Sequence, residues 1–160
     1  YIWAVYSLMQ VNRKDELLSY SPVWDRRHNV NLVVSWVFGK NSEWEAGARW
    51  NYGSGFPFTQ TQGFYEQFNL NNNLNQNYTQ TNGNLGILYG DLNSGRLPAF
   101  HRLDVNIRRN INLKNKQKIE LTAAITNAYN RENIFYFDRV KFERVNQLPI
   151  LPSIGANFKF

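Results

Sequence analysis

Cysteine is absent from the 160 residues, methionine occurs once and histidine twice. Without thiols there is no disulfide framework, no thiolate zinc site and no cysteine nucleophile. His28 and His101 lie far apart, and neither has a metal-ligand companion at usable spacing, so no metal site is expected. No run approaches the about eighteen consecutive apolar residues that a membrane-crossing helix needs. A basic-then-apolar leader is also missing; Tyr1–Val11 already reads as the middle of a strand, which predicts that the chain is a piece of something longer. Catalytic signatures are lacking too: no Ser elbow, no HExxH, no phosphate-cradling glycine loop. Gly53-Ser54-Gly55 superficially resembles a nucleophile turn, but no helix follows it. Neither an enzyme nor a cofactor is expected.

The net charge of +6 and the many aromatics fit a nucleic-acid binder only until the charges are placed. Arg26 and Arg27 sit with Asp25, Arg102 and Arg108 flank Asp104, and Arg139, Lys141 and Arg144 interleave with Asp138 and Glu143. Alternating signs at short spacing make a solvated or internally paired surface, not a phosphate track.

What the sequence does have is a period of two. Six segments, about 1–12, 27–38, 42–53, 99–113, 117–128 and 150–160, alternate apolar and polar residues. Val30, Leu32, Val34, Trp36 and Phe38 oppose Asn29, Asn31 and Ser35; Trp44, Ala46, Ala48, Trp50 and Tyr52 oppose Glu43, Glu45, Gly47, Arg49 and Asn51. Leu103, Val105, Ile107, Ile111 and Leu113 oppose Arg102, Asp104, Asn106, Arg108, Asn110 and Asn112. Ile119, Leu121, Ala123 and Ile125 oppose Lys118, Glu120, Thr122 and Thr126. Ile154, Ala156, Phe158 and Phe160 oppose Ser153, Asn157 and Lys159. In 1–12 the faces are ambiguous, because Tyr6 and Leu8 compete with Trp3 and Val5.

Strands of about 10–14 residues exceed the usual soluble length of about five or six and match the roughly 9–11 that a tilted strand needs to cross a bilayer. Aromatics gather toward strand ends (Tyr1, Trp3, Trp36, Phe38, Trp44, Trp50, Tyr52, Phe158, Phe160), as interfacial girdles do. The expected fold is therefore all-β: an antiparallel transmembrane β-barrel. Its polar lumen would be lined by Glu43, Glu45, Arg49, Arg102, Asp104, Arg108, Lys118 and Glu120. Tight connections (Gly39-Lys40-Asn41 and Lys114-Asn115-Lys116) alternate with long ones (about 13–27, 54–98 and 129–149), matching short periplasmic turns and longer extracellular loops. Six strands cannot close a membrane barrel, so upstream strands or partner chains must complete the wall.

Within the long extracellular loop 54–98, residues 69–84 are Asn-rich with little to bury, and the flanks are expected to form hairpin extensions or fold over the barrel mouth. Phe56, Phe58, Phe64, Tyr65, Phe68, Tyr78 and Tyr89 are the candidate ligand-facing residues; the competing reading packs them into the loop's own small core or against a partner lipoprotein. Asp25, Arg26, Arg27 and His28 are read either as a strand-start salt-bridge network or as an anion site at the mouth.

Five runs then carry a resemblance: Trp24–His28, Arg49–Phe58, Arg96–Val105, Asn127–Tyr136 and Leu151–Phe160. In this order the chain resembles the end of TonB-dependent outer-membrane receptors of the Bacteroidota type. The resemblance implies the last six strands of a barrel of about 22, with an N-terminal plug and energy-coupling box that this sequence does not contain. It implies a bacterial outer-membrane location and partners in lipid, the barrel-assembly machinery and an inner-membrane TonB complex reached through the missing N-terminal region. A surface lipoprotein or a larger outer-membrane complex is a further possible partner. Phe158 and Phe160 resemble the assembly signal at the end of such proteins. The implied function is energised import of an iron chelate, vitamin, glycan or peptide. The alternative is a receptor-like barrel kept as a structural subunit of an assembly or secretion complex; a more distant one is a soluble carbohydrate-binding β-sandwich.

Overall fold

Successive side chains of a strand point to opposite sides of the pleat, so residue-by-residue alternation yields a sheet with two unlike faces. The computed structural model describes residues 1–67, 83–114, 117–138, 140–141 and 143–160. In chain order its strands are β1 (Ile2–Leu8), β2 (Arg13–Lys14), β3 (Ser19–Tyr20), β4 (His28–Phe38), β5 (Trp44–Gly53), β6 (Pro57–Phe58), β7 (Thr61–Gln67), β8 (Asn84–Tyr89), β9 (Gly95–Arg96), β10 (Phe100–Asn112), β11 (Lys118–Thr126), β12 (Ile134–Asp138), β13 (Glu143–Asn146) and β14 (Leu151–Lys159). No α-helix occurs among the described residues. The protein is all-β, and every strand pairing among the described residues is antiparallel.

Contacts divide the chain into two units. The first, residues 1–10, 25–56 and 97–160, holds a six-stranded meander in the order β1-β4-β5-β10-β11-β14, together with the β12–β13 hairpin. The second, residues 11–24 and 57–96, holds three two-stranded ladders: β2–β3, β6–β9 and β7–β8. The flanks of 54–98 thus pair as hairpin ladders, while Phe68, Tyr78 and most of the Asn-rich tract lie outside the described residues.

Register assigns the faces of the meander. One row of directly opposed residues runs Val34, Ala48, Val105, Ile125, Pro152; the next runs Trp36, Ala46, Ile107, Ala123, Ile154. The row after that, nearest the short turns, is Phe38, Trp44, Arg109, Leu121, Ala156. These residues share the apolar face. The opposite face carries rows such as Ser35, Gly47, Asn106, Ala124, Ser153. Edge strand β1 is resolved by its partner: Ile2, Ala4, Tyr6 and Leu8 oppose Val34, Leu32, Val30 and His28 on the apolar face, which puts Trp3, opposite Val33, on the other. Trp3 therefore does not join the aromatics of the apolar face. Both faces of this strand are apolar, so periodicity had nothing to distinguish, and the pairing decides.

The apolar face is exposed among the described residues. Among the described residues no hydrophobic side chain is buried, and Ile154 and Phe160 are 92% and 97% exposed. Aromatics cluster on it near the short turns: Trp36 and Phe38 lie 4.9 Å apart, and Phe38 stacks at 6.2 Å on its cross-strand partner Trp44. Such pairs contribute about 0.5–1.5 kcal/mol beyond area burial. The turn between β4 and β5 needs Gly39 at φ 98°, a left-handed conformation that costs a side-chain-bearing residue but not glycine.

Candidate functional site

The polar face of the meander is the most organised chemical surface in the chain. Arg108 on β10 reaches Glu45 on β5 at 3.4 Å and Glu120 on β11 at 3.5 Å, bridging three strands. Glu45 also accepts from Ser35 Oγ at 2.9 Å, which ties in β4. Arg102 pairs with Asp104, two residues along the same strand, at 3.0 Å. Asn51 donates to Asn31 across β4–β5, and Asn106 lies against Gly47, whose missing Cβ leaves it room. Arg49 stands opposite Asp104 and Lys118 opposite Asn112 and Lys159 in the register. Seven of the eight charges expected on one wall, Glu45, Arg49, Arg102, Asp104, Arg108, Lys118 and Glu120, thus share a strand face.

Glu43, the eighth, sits in the turn before β5. Its Oε2 accepts from Asn41 N at 2.8 Å, and its carbonyl accepts from Asn110 N at 2.7 Å. The carboxyl is held below the ordinary carboxylate range, chiefly by the Asn41 N–H, then by its own N–H and last by the charge of Arg109, with desolvation opposing. A depressed folded pKa stabilises the turn above the unfolded glutamate value of about 4.3, and that contribution disappears as pH falls through the lower folded value. The Asn41 amide resonance is accordingly expected to shift as pH falls below the unfolded glutamate value of about 4.3 in the native chain and to stay flat in Glu43→Gln. Beside this turn a polar basin of about 330 Å³ is lined by Glu43, Asn110, Lys118, Glu120 and Asn157.

At the other end of the strands, three of the runs that carry the resemblance converge. The Arg26 guanidinium lies 4.1 Å from the Phe56 ring centroid and 5.8 Å from that of Phe100. It rests where a Cβ on Gly53 would stand, so a side chain there would displace it. Burial lowers the pKa of Arg26 from its ordinary value. Asp25 is fully buried. Arg27 and His28 turn their backbones inward to the fold: Met9 N donates to Arg27 O at 2.9 Å, and His28 N donates to Ser54 Oγ at 3.0 Å. The backbone bonds of Arg27 and His28 fasten the entry to β4.

A second anchor follows β11. Asn127, fully buried and at φ 54°, donates from Nδ2 to Arg131 O at 2.9 Å and Leu148 O at 3.1 Å. Its Oδ1 accepts from Arg131 N at 2.9 Å, while its own N–H donates to Asp104 Oδ1 at 3.0 Å. Asn133 imitates a strand partner for His101, accepting from His101 N at 3.2 Å and donating to His101 O at 2.9 Å. These asparagines were not picked out by periodicity, because each bonds to backbone about 20 to 30 residues away in sequence.

Five of the seven loop aromatics lie among the described residues. Phe56 is committed to Arg26. Phe58 lies on β6, Phe64 and Tyr65 on β7 and Tyr89 on β8. Tyr65 packs over Gly86 and stays half exposed. Phe158 and Phe160 neighbour each other at 6.1 Å on the apolar face. Among the described residues no group of three or more acidic or histidine side chains is placed to hold a metal.

One charged residue was passed over by the alternation. Arg109 occupies an apolar-face position between Trp44 and Leu121, with its guanidinium 4.9 Å from the Trp44 ring centroid. Adjacent Arg108 and Arg109 must point to opposite faces, which was the available signal. Comparison with protein-family models, curated proteins and solved structures finds no match to this chain.

Proposed function

We propose that this chain is part of the wall of an outer-membrane β-barrel of the TonB-dependent receptor kind, whose whole protein imports a scarce ligand (an iron chelate, vitamin, glycan or peptide) by energised uptake. The observation that carries the reading is the bare apolar face: a meander of six strands, aromatic toward its short turns, with no buried hydrophobic side chain among the described residues. A soluble sandwich would cover that face with a second sheet about 10 Å away. Lipid covers it instead. The bridged charges and asparagines of the other face then suit a wet lumen or the polar surface of a plug. Edge strands β1 and β14 each have one neighbour, and an open edge in lipid leaves backbone groups unpaired at several kcal/mol each. Strands from the rest of the wall complete both edges, and the short turns face the periplasm.

The test is fractionation of the native protein with heat-dependent migration on SDS gels, followed by intact mass and sequencing of its N-terminal peptides. Recovery in the outer membrane, in a polypeptide carrying a plug and coupling box, is the expected result. A detergent-free soluble monomer sinks the barrel reading. A membrane protein lacking the box and held in a large complex would replace uptake with the structural role.

A further inference from the structure

Across the apolar-face residues of the six strands, a single position carries Lys, Arg, Asp or Glu, and it is Arg109. Its cross-strand neighbours on that face are Trp44 and Leu121. Glu43 feels its charge, but that carboxylate already accepts from the Asn41 N–H. A cation on an apolar surface is costly unless an anion or water meets it. Stacking on an indole leaves the edges of the guanidinium open, and those edges match a phosphate bidentately in a way an ammonium cannot. Adjoining Arg109 is a groove of about 500 Å³, lined by the small residues Ala123, Gly155 and Ala156 and the bulkier Ile107, Leu121 and Ile154. A cation at one end and an apolar trough beyond it have the chemistry of a headgroup and a chain.

We infer that Arg109, Trp44 and this groove form a binding site for one anionic glycerophospholipid of the leaflet at the short-turn end, its phosphate on Arg109 and an acyl chain in the groove. The inference rests on the membrane-wall reading above. Charge complementarity selects the occupant: a zwitterionic lipid offers the same phosphate but cancels its charge. Free phosphate would fill only the cationic end.

Native mass spectrometry of the intact protein, released from detergent micelles with phosphatidylglycerol, phosphatidylcholine or inorganic phosphate, tests the site. Phosphatidylglycerol is expected to be retained about fivefold more tightly than phosphatidylcholine, the contribution of one basic residue near an anionic surface. Arg109→Gln should bring the two lipids to parity, and Arg109→Lys should restore part of the preference. Ala156→Phe, which fills the groove and leaves the cation, should cost retention of phosphatidylglycerol. An unchanged preference in Arg109→Gln, or displacement of the lipid by equimolar inorganic phosphate, overturns the inference. Heat-dependent migration separates the two failures: protein that never inserts sinks the membrane reading, whereas inserted protein without lipid preference sinks this site alone.

Discussion

Leu121→Arg is expected to destabilise the protein in lipid by about 1 kcal/mol, short of the roughly 2–4 kcal/mol of a midplane arginine because Leu121 lies level with Arg109, and Thr122→Arg by less. The two positions are adjacent in the middle of β11 and differ in face. Leu121 opposes Arg109 and Ala156 on the apolar side; Thr122 opposes Arg108 and Gly155 on the polar side. Each substitution sets a new guanidinium opposite an existing one, and the repulsion is weaker at 122, where Arg108 is already paired with Glu45 and Glu120. The other difference is the medium. Residue 122 would project among Glu45, Glu120 and water, where charge is screened. Residue 121 would project where the neighbours are Ile107, Ala123 and Ile154. Denaturant titration of each variant in phospholipid vesicles reads the difference, and equal costs would contradict a lipid-facing apolar side.

The same physics sets how much of this protein is legible in its sequence. Alternation is a direct imprint of two unlike media on a pleated strand, so β4, β5, β10, β11 and β14 begin and end within two residues of the segments it marks. It weakens where one medium's signal is lost. Strand β1 places apolar residues on both sides and stops at Leu8, short of the expected end at 12, with one further in-register bond from Met9 N to Arg27 O. Arg109 is invisible to a rule that reads charge as lumen, yet a stacked arginine at the end of an apolar stripe obeys another rule. The connections were read as polar loops by composition. Composition does not carry the short local ladders β2–β3 and β12–β13, the second with a register shift between Ile134 and Tyr136. Nor does it carry the asparagine anchors, since a side chain that replaces a strand partner looks, in sequence, like any other polar loop residue.

Asn127 is where that distinction has the largest consequence. Truncation to Ala removes three hydrogen bonds and frees the Arg131 N–H and the carbonyls of Arg131 and Leu148, groups that Asn127 holds from a fully buried position. Arg131 is half-buried and Leu148 exposed, so water can meet the freed groups, and each lost bond costs about 0.5–1.5 kcal/mol. Alanine at φ 54° adds the steric penalty of left-handed backbone, about 1–2 kcal/mol, which glycine escapes. Asn127→Ala is thus expected to be worse than Asn127→Gly by about 1 kcal/mol, and both worse than Asn127→Asp. Aspartate keeps the Oδ1 acceptor for Arg131 N but loses both Nδ2 donations. The six-stranded ladder makes none of these bonds, so the damage should be local. Limited proteolysis is expected to cut within 128–150 in the order Ala, Gly, Asp, while heat-dependent migration of the uncut protein stays native. The order separates two roles of one residue. If Gly and Ala cut alike, conformation at 127 contributes nothing; if Asp cuts like Ala, the anchor depends on the donated bonds to Arg131 and Leu148. Loss of the native migration in all three variants would instead make Asn127 part of the wall's own folding, with the anchored segment inseparable from the sheet it borders.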